Sequence, residues 1–104
     1  MDVIMLKANG EADVIEIADT LKAYQDAVGG YIEVVSLTER YALIVNEEGK
    51  LQDLPLNNRA TAICQRYLNT SDVIAGDAFI VKKDGEGFVD IDMNCLLAFL
   101  KYLV

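Results

Sequence analysis

Apolar positions along the chain change period several times, and each change marks an element. Val3-Ile4-Met5-Leu6 is apolar at every position, as in a strand buried on both faces, and Asn9-Gly10 behind it is a tight-hairpin turn. The return strand is predicted over Asp13-Val14-Ile15-Glu16-Ile17, with Ile15 and Ile17 on the face opposite Val14 and Glu16. Asp19 or Thr20 can then cap a short helix in which Leu21, Tyr24 and Val28 form one stripe. Gly29 closes that helix, because glycine takes the left-handed backbone at little cost, and Gly30 lets the chain reverse. Tyr31 to Leu37 and Tyr41 to Asn46 are rich in strand-favouring residues and flank the polar Thr38-Glu39-Arg40, which predicts a second hairpin.

Beyond a turn at Glu47-Glu48-Gly49-Lys50, Leu51 to Leu56 shows neither period and runs into a bend at Pro55. Asn57 or Asn58 caps a predicted amphipathic helix with Ala60, Ile63, Cys64, Tyr67 and Leu68 inward and Thr61, Gln65 and Arg66 outward. A further strand is predicted through Val73-Ile74-Ala75 and Phe79-Ile80-Val81, with Gly76-Asp77 between them as a bulge or a close backbone approach. After a turn over Lys83 to Gly87 and a brief strand from Phe88, Asp90 or Asp92 caps the last helix, Met93 to Leu103. That helix is apolar almost all round. Met93, Leu96, Leu97, Leu100 and Leu103 form one stripe and Cys95, Phe99 and Tyr102 another, so it is either wrapped by its own chain or used in a homodimer. The predicted fold class is α+β, a mixed or antiparallel sheet of about five to six strands in two or three hairpins, packed with three helices in one domain over residues 1–104.

Composition narrows this picture. An apolar fraction of 53% and a single proline describe a chain able to bury one core without staples. The longest uninterrupted apolar stretch, Cys95 to Leu100, is far short of the ~20 residues that span a bilayer. Residues Met1 to Ile4 carry no basic leader, so a cytoplasmic location is expected. Cys64 and Cys95 sit in helical patterns and not at metal-ligand spacing, and are expected as buried thiols. Seventeen acidic against nine basic side chains give a formal charge of −8, which disfavours direct binding of duplex nucleic acid. The same charge serves solubility, or imitates the phosphate array of a nucleic acid.

Catalytic chemistry finds few candidates. There is no histidine to act as a base near neutral pH, and the two serines, Ser36 and Ser71, lack a nucleophile-elbow setting. Asp90-x-Asp92-x-Asn94 begins like a calcium loop, but Cys95 stands where that loop needs glycine and Lys101 where it needs glutamate. No Gly-rich phosphate loop is present. The expectation is therefore no catalytic residue, no metal and no cofactor. The most suggestive stretch for binding is Leu54-Pro55-Leu56-Asn57-Asn58-Arg59-Ala60, where a bend brings a guanidinium and free amides to one helix start, a geometry that can hold an anion.

Four segments of the chain resemble the uncharacterised domain-of-unknown-function family 3846 of bacteria, phages and mobile elements. They are Val28 to Val35, Ala42 to Leu51, Leu54 to Ala60 and Asp72 to Val81, in that order. The family's typical asparagine-arginine pair falls on Asn58-Arg59, after an extra Asn57. The resemblance implies an accessory protein of a phage or mobile element more than it implies a reaction. Three functional readings follow. The first is a non-enzymatic antagonist of bacterial defence, of anti-CRISPR or antirestriction type, whose acidic surface with Glu33, Glu47, Glu48 and Asp77 engages a protein effector as a DNA mimic. The second is an oligomeric sponge for a small nucleotide signal, with Asn58, Arg59, Gly30, Tyr31 and Gly76 lining its pocket. The third, ranked last, is a carboxylate enzyme using Glu33, Asp77 and Glu48.

Overall fold

Three hairpins and three helices alternate along the chain in the computed structural model, which describes residues 1–104. The strands are β1 (Asp2–Leu6), β2 (Ala12–Glu16), β3 (Ile32–Ser36), β4 (Tyr41–Asn46), β5 (Ala78–Asp84) and β6 (Gly87–Val89). The helices are α1 (Leu21–Val28), α2 (Asn58–Leu68) and α3 (Met93–Phe99), the last running into a 3-10 turn over Leu100–Tyr102. The sheet has the order β2-β1-β5-β4-β3, with β6 paired to the end of β5, and every pairing is antiparallel. β1 and β4 flank β5, which explains why these strands read as unbroken apolar runs: Ile80 lies opposite Ile4 on one side and Leu43 on the other.

Side chains alternate across this sheet and feed two cores. On one face Ile4, Leu6, Leu43, Val45 and Ile80 meet Ala60, Ile63 and Cys64 of α2 and Cys95 and Phe99 of α3. On the other, Val3, Met5, Ile44, Phe79 and Val81 meet Tyr24 and Val28 of α1. The protein is thus a three-layer α+β domain, with α1 on one side of the sheet and α2 and α3 on the other. Phe99 packs between the rings of Tyr41 and Tyr67, at centroid distances of 5.6 and 5.4 Å.

Several local expectations change. Thr20, not Asp19, caps α1 through Ala23 N–H, and the Asp19 carboxylate instead accepts the Tyr24 hydroxyl. Leu21 leaves the predicted stripe and is exposed, because the eight-residue helix turns only Tyr24 and Val28 fully onto the sheet. The strand expected at Val73-Ile74-Ala75 is absent. Only Ala75 makes an isolated bridge, to Leu56, and β5 begins at Ala78 after Gly76 (φ 91°) has turned the chain. Thr61, expected outward, faces segment 70–75. The last helix is also less enclosed than its apolar pattern suggests. Cys95 and Phe99 are buried and Leu96 and Leu103 partly so, while Met93, Leu97 and Leu100 are exposed, because α3 lies on the sheet by one side only.

Candidate functional site

The end of α2 and segment 70–75 stand over the β3–β4 hairpin without closing on it. The gap is a cleft of about 260 Å³ with an apolar floor of Val35, Val45, Cys64, Leu68 and Ile74. Its rim carries Glu33 from β3, Glu47 after β4, and Lys50 in an ion pair with Asp72 at 2.6 Å. Local chemistry fixes both walls. The Thr61 hydroxyl oxygen accepts Ile74 N–H at 2.9 Å, and Gln65 Nε2 donates to the Asp72 carbonyl at 3.1 Å, which ties segment 70–75 to α2. Buried Asn46 donates to the Val28 carbonyl and accepts Glu48 N–H at 2.8 Å, setting the turn that carries Glu47. That turn lies tight against the opposite wall, since a side chain at Gly49 would come within 2.3 Å of the Ala75 carbonyl oxygen.

The electrostatics of the cleft are negative. Lys50, its one cation, is engaged by Asp72, and the same contact, with a hydrogen bond from Val73 N–H, holds the Asp72 carboxyl below the usual carboxylate range. Burial pushes the Cys64 thiol up, and the charges of Asp72 and Glu33 push it further in that direction. Neither cysteine is a ready nucleophile: burial, followed by the charge of Asp92, carries Cys95 to about 12. No cluster of three or more cysteine, aspartate or glutamate side chains is placed to hold a metal ion.

The residues expected at an anion site are not assembled. Asn57, not Asn58, is the cap of α2: its Oδ1 accepts Ala60 N–H at 3.0 Å, and its Nδ2 donates to the Leu6 and Gly76 carbonyls at 2.9 Å each. The Arg59 guanidinium is directed at backbone carbonyls, Gly10 through Nε at 2.8 Å and Tyr102 through one terminal nitrogen at 2.7 Å. It therefore ties the β1–β2 turn and the C-terminal turn to α2. Asn58 is exposed beside it, and neither residue lines a groove. Gly30 and Tyr31 border a shallow groove with Glu48 and Gln52, whereas Gly76 lies with Lys7 and Asp77 in a separate one. Of the acidic residues, Glu33 and Glu47 share the cleft and Glu48 occupies the same turn, but Asp77 is elsewhere and accepts Ala8 N–H at 2.9 Å. Glu33, Glu48 and Asp77, the trio considered for carboxylate chemistry, line three different grooves.

Sequence reasoning missed Val35, Leu68, Lys50 and Asp72. The available signal was Glu33 itself, a charge in the middle of an otherwise apolar strand pattern. The arrangement can take an apolar or aliphatic group on its floor and a cation at its rim.

These features define an open-sheet α+β protein with a carboxylate-rimmed cleft between helix and sheet edge. The chain belongs to the family described as domain of unknown function DUF3846, whose profile matches residues 1–103. No curated protein matches it, and no solved structure does.

Proposed function

We propose that this protein is a non-catalytic accessory protein of a phage or mobile element that antagonises bacterial defence, docking its acidic surface on the basic, nucleic-acid-binding groove of an effector. The observation that carries this reading is the disposition of charge. Four of the seventeen carboxylates, on Glu11, Asp26, Asp72 and Asp92, are in ion pairs, so most of the negative surplus faces solvent uncompensated. Glu33 and Glu47 concentrate part of it around an apolar floor. A basic groove offers the complementary potential, which steers encounter and selects partners. The nucleotide-sponge reading has less support, since Arg59 would have to give up its carbonyl partners at Gly10, Tyr102 and Val104 to reach an anion.

The test is displacement of labelled duplex DNA from purified restriction and CRISPR effectors. Displacement of DNA from an effector should weaken about tenfold or more between roughly 0.05 and 0.3 M salt, because screening removes attraction between exposed charges. Binding indifferent to salt, or no displacement from any effector in the panel, refutes the reading.

A further inference from the structure

The sheet has two open edges, and they differ. In the β1–β2 pair, Lys7 N–H bonds Glu11 and Ile17 N–H bonds Met1, so the alternate residues Ala12, Val14 and Glu16 of β2 turn their backbone outward. Val14 N–H on that edge is already taken by the Asp13 carboxylate at 2.9 Å. In the β3–β4 pair, Glu47 N–H bonds Tyr31 and Leu37 N–H bonds Tyr41, so the free row on β3 is that of Ile32, Val34 and Ser36. No side chain accepts from those three amides, and Val34 is 48% exposed. The carboxylate-rimmed cleft opens along this same strand, through Glu33 and Val35.

We propose that the β3 edge and the cleft beside it form one peptide-binding groove, which takes an extended, basic segment of a partner protein as an added antiparallel or parallel strand. Backbone groups of the segment pair with Ile32, Val34 and Ser36. Strand alternation then sends every second side chain over the cleft, where a lysine or arginine lays its aliphatic stem on Val35 and Leu68 and its charge at Glu33 and Glu47. The intervening side chains fall beside Val34 on the other face. Size agrees: about 260 Å³ is below the ~300–1,000 Å³ of pockets that enclose a whole small-molecule ligand, and suits single side chains entering from a strand. Charge selects a basic partner over a second copy of this chain, since each copy carries −8 and pairing through β3 would set two Glu33-bearing edges against each other. The inference deepens the proposed reading and rests on it for the sign of the partner's charge.

The probe is a short capped peptide alternating valine and lysine, titrated into the labelled protein with amide hydrogen exchange read by NMR. The expected result is slowed exchange at Ile32, Val34 and Ser36. Val34→Pro removes one outward N–H without touching the β4 ladder, and should cut affinity about tenfold with the β4 and β5 amides still protected. Glu33→Lys should shift preference to a valine–glutamate peptide. Peptide binding that leaves the β3 amides unprotected, or that Val34→Pro does not weaken, overturns the groove while leaving the acidic-surface reading standing. Self-association lost in Val34→Pro would overturn the assigned occupant in favour of a second copy. Failure of any basic peptide to bind, with DNA displacement intact, overturns the groove alone.

Discussion

Replacing Asn57 by alanine tests how the layers are joined. The side chain is fully buried and makes three hydrogen bonds, one capping α2 at Ala60 and two to carbonyls of β1 and of the turn before β5. At about 1 kcal/mol net for each, the cap included, Asn57→Ala should cost ~3 kcal/mol. That is a large part of the 5–15 kcal/mol typical of a domain. With a urea slope of about 2 kcal/mol/M the midpoint should fall by roughly 1.5 M, read by far-UV circular dichroism. Asn57→Asp separates the contributions. It keeps an acceptor for Ala60 but sets a carboxylate against the Leu6 and Gly76 carbonyls, so it should be at least as unstable as the alanine variant near neutral pH. A loss below about 1 kcal/mol for Asn57→Ala, or wild-type stability for Asn57→Asp, would refute the reasoning.

Three further outcomes follow from the contacts. Arg59→Lys loses the fork that reaches Gly10 and Tyr102 together, so exchange should speed up around residues 100–104 with about 1 kcal/mol of stability lost; unchanged exchange there would remove its tethering role. Asp92 titrates below the ordinary carboxylate range because Lys82 hydrogen-bonds it and Cys95 N–H does so as well. Its contribution is therefore present above the unfolded value near ~3.9 and lost as pH falls through the lower folded value. Asp92→Asn, which keeps a cap acceptor without the charge, should flatten that part of an acid-unfolding curve; an identical curve would contradict the assignment. Both thiols lie above their ordinary range and are buried, so at about pH 8 a thiol reagent should label them only as fast as the domain opens, and rapid labelling of Cys64 would contradict the burial of its sulfur beneath the cleft floor.

Much of the architecture was legible because period and turn chemistry agreed. Asn9-Gly10, Gly29-Gly30 and Thr38-Glu39-Arg40 each mark a reversal, and the apolar runs Val3 to Leu6 of β1 and Tyr41 to Val45 of β4 belong to the strands that flank β5. What misled was a local pattern overruled by the tertiary context. Val73-Ile74-Ala75 has strand composition, yet Thr61 of α2 binds the Ile74 backbone and Gln65 that of Asp72 just before it, which holds the segment as a cleft wall. The apolar stripes of α3 do not say how many sides are covered, and Leu97 at 62% exposed lies outside the core. At the candidate site, the helix-start geometry suggested an anion, but nothing in the sequence could reveal that Gly10 and Tyr102, far apart along the chain, meet at Arg59. Glu33 and Glu47 were named for their charge; that they share an apolar floor depends on β3–β4 pairing and the return of segment 70–75, both long-range.

The most direct test of recognition by the acidic end of the β3–β4 hairpin is the salt dependence of association with an effector that the protein displaces from DNA. It should be measured for the wild type and for Glu33→Lys/Glu47→Lys, whose substitutions lie at exposed positions. The wild type should show a steep loss of affinity with salt, and the double variant a weaker and markedly flatter dependence at an unchanged melting temperature. Equal affinities and equal slopes would place recognition elsewhere on the molecule.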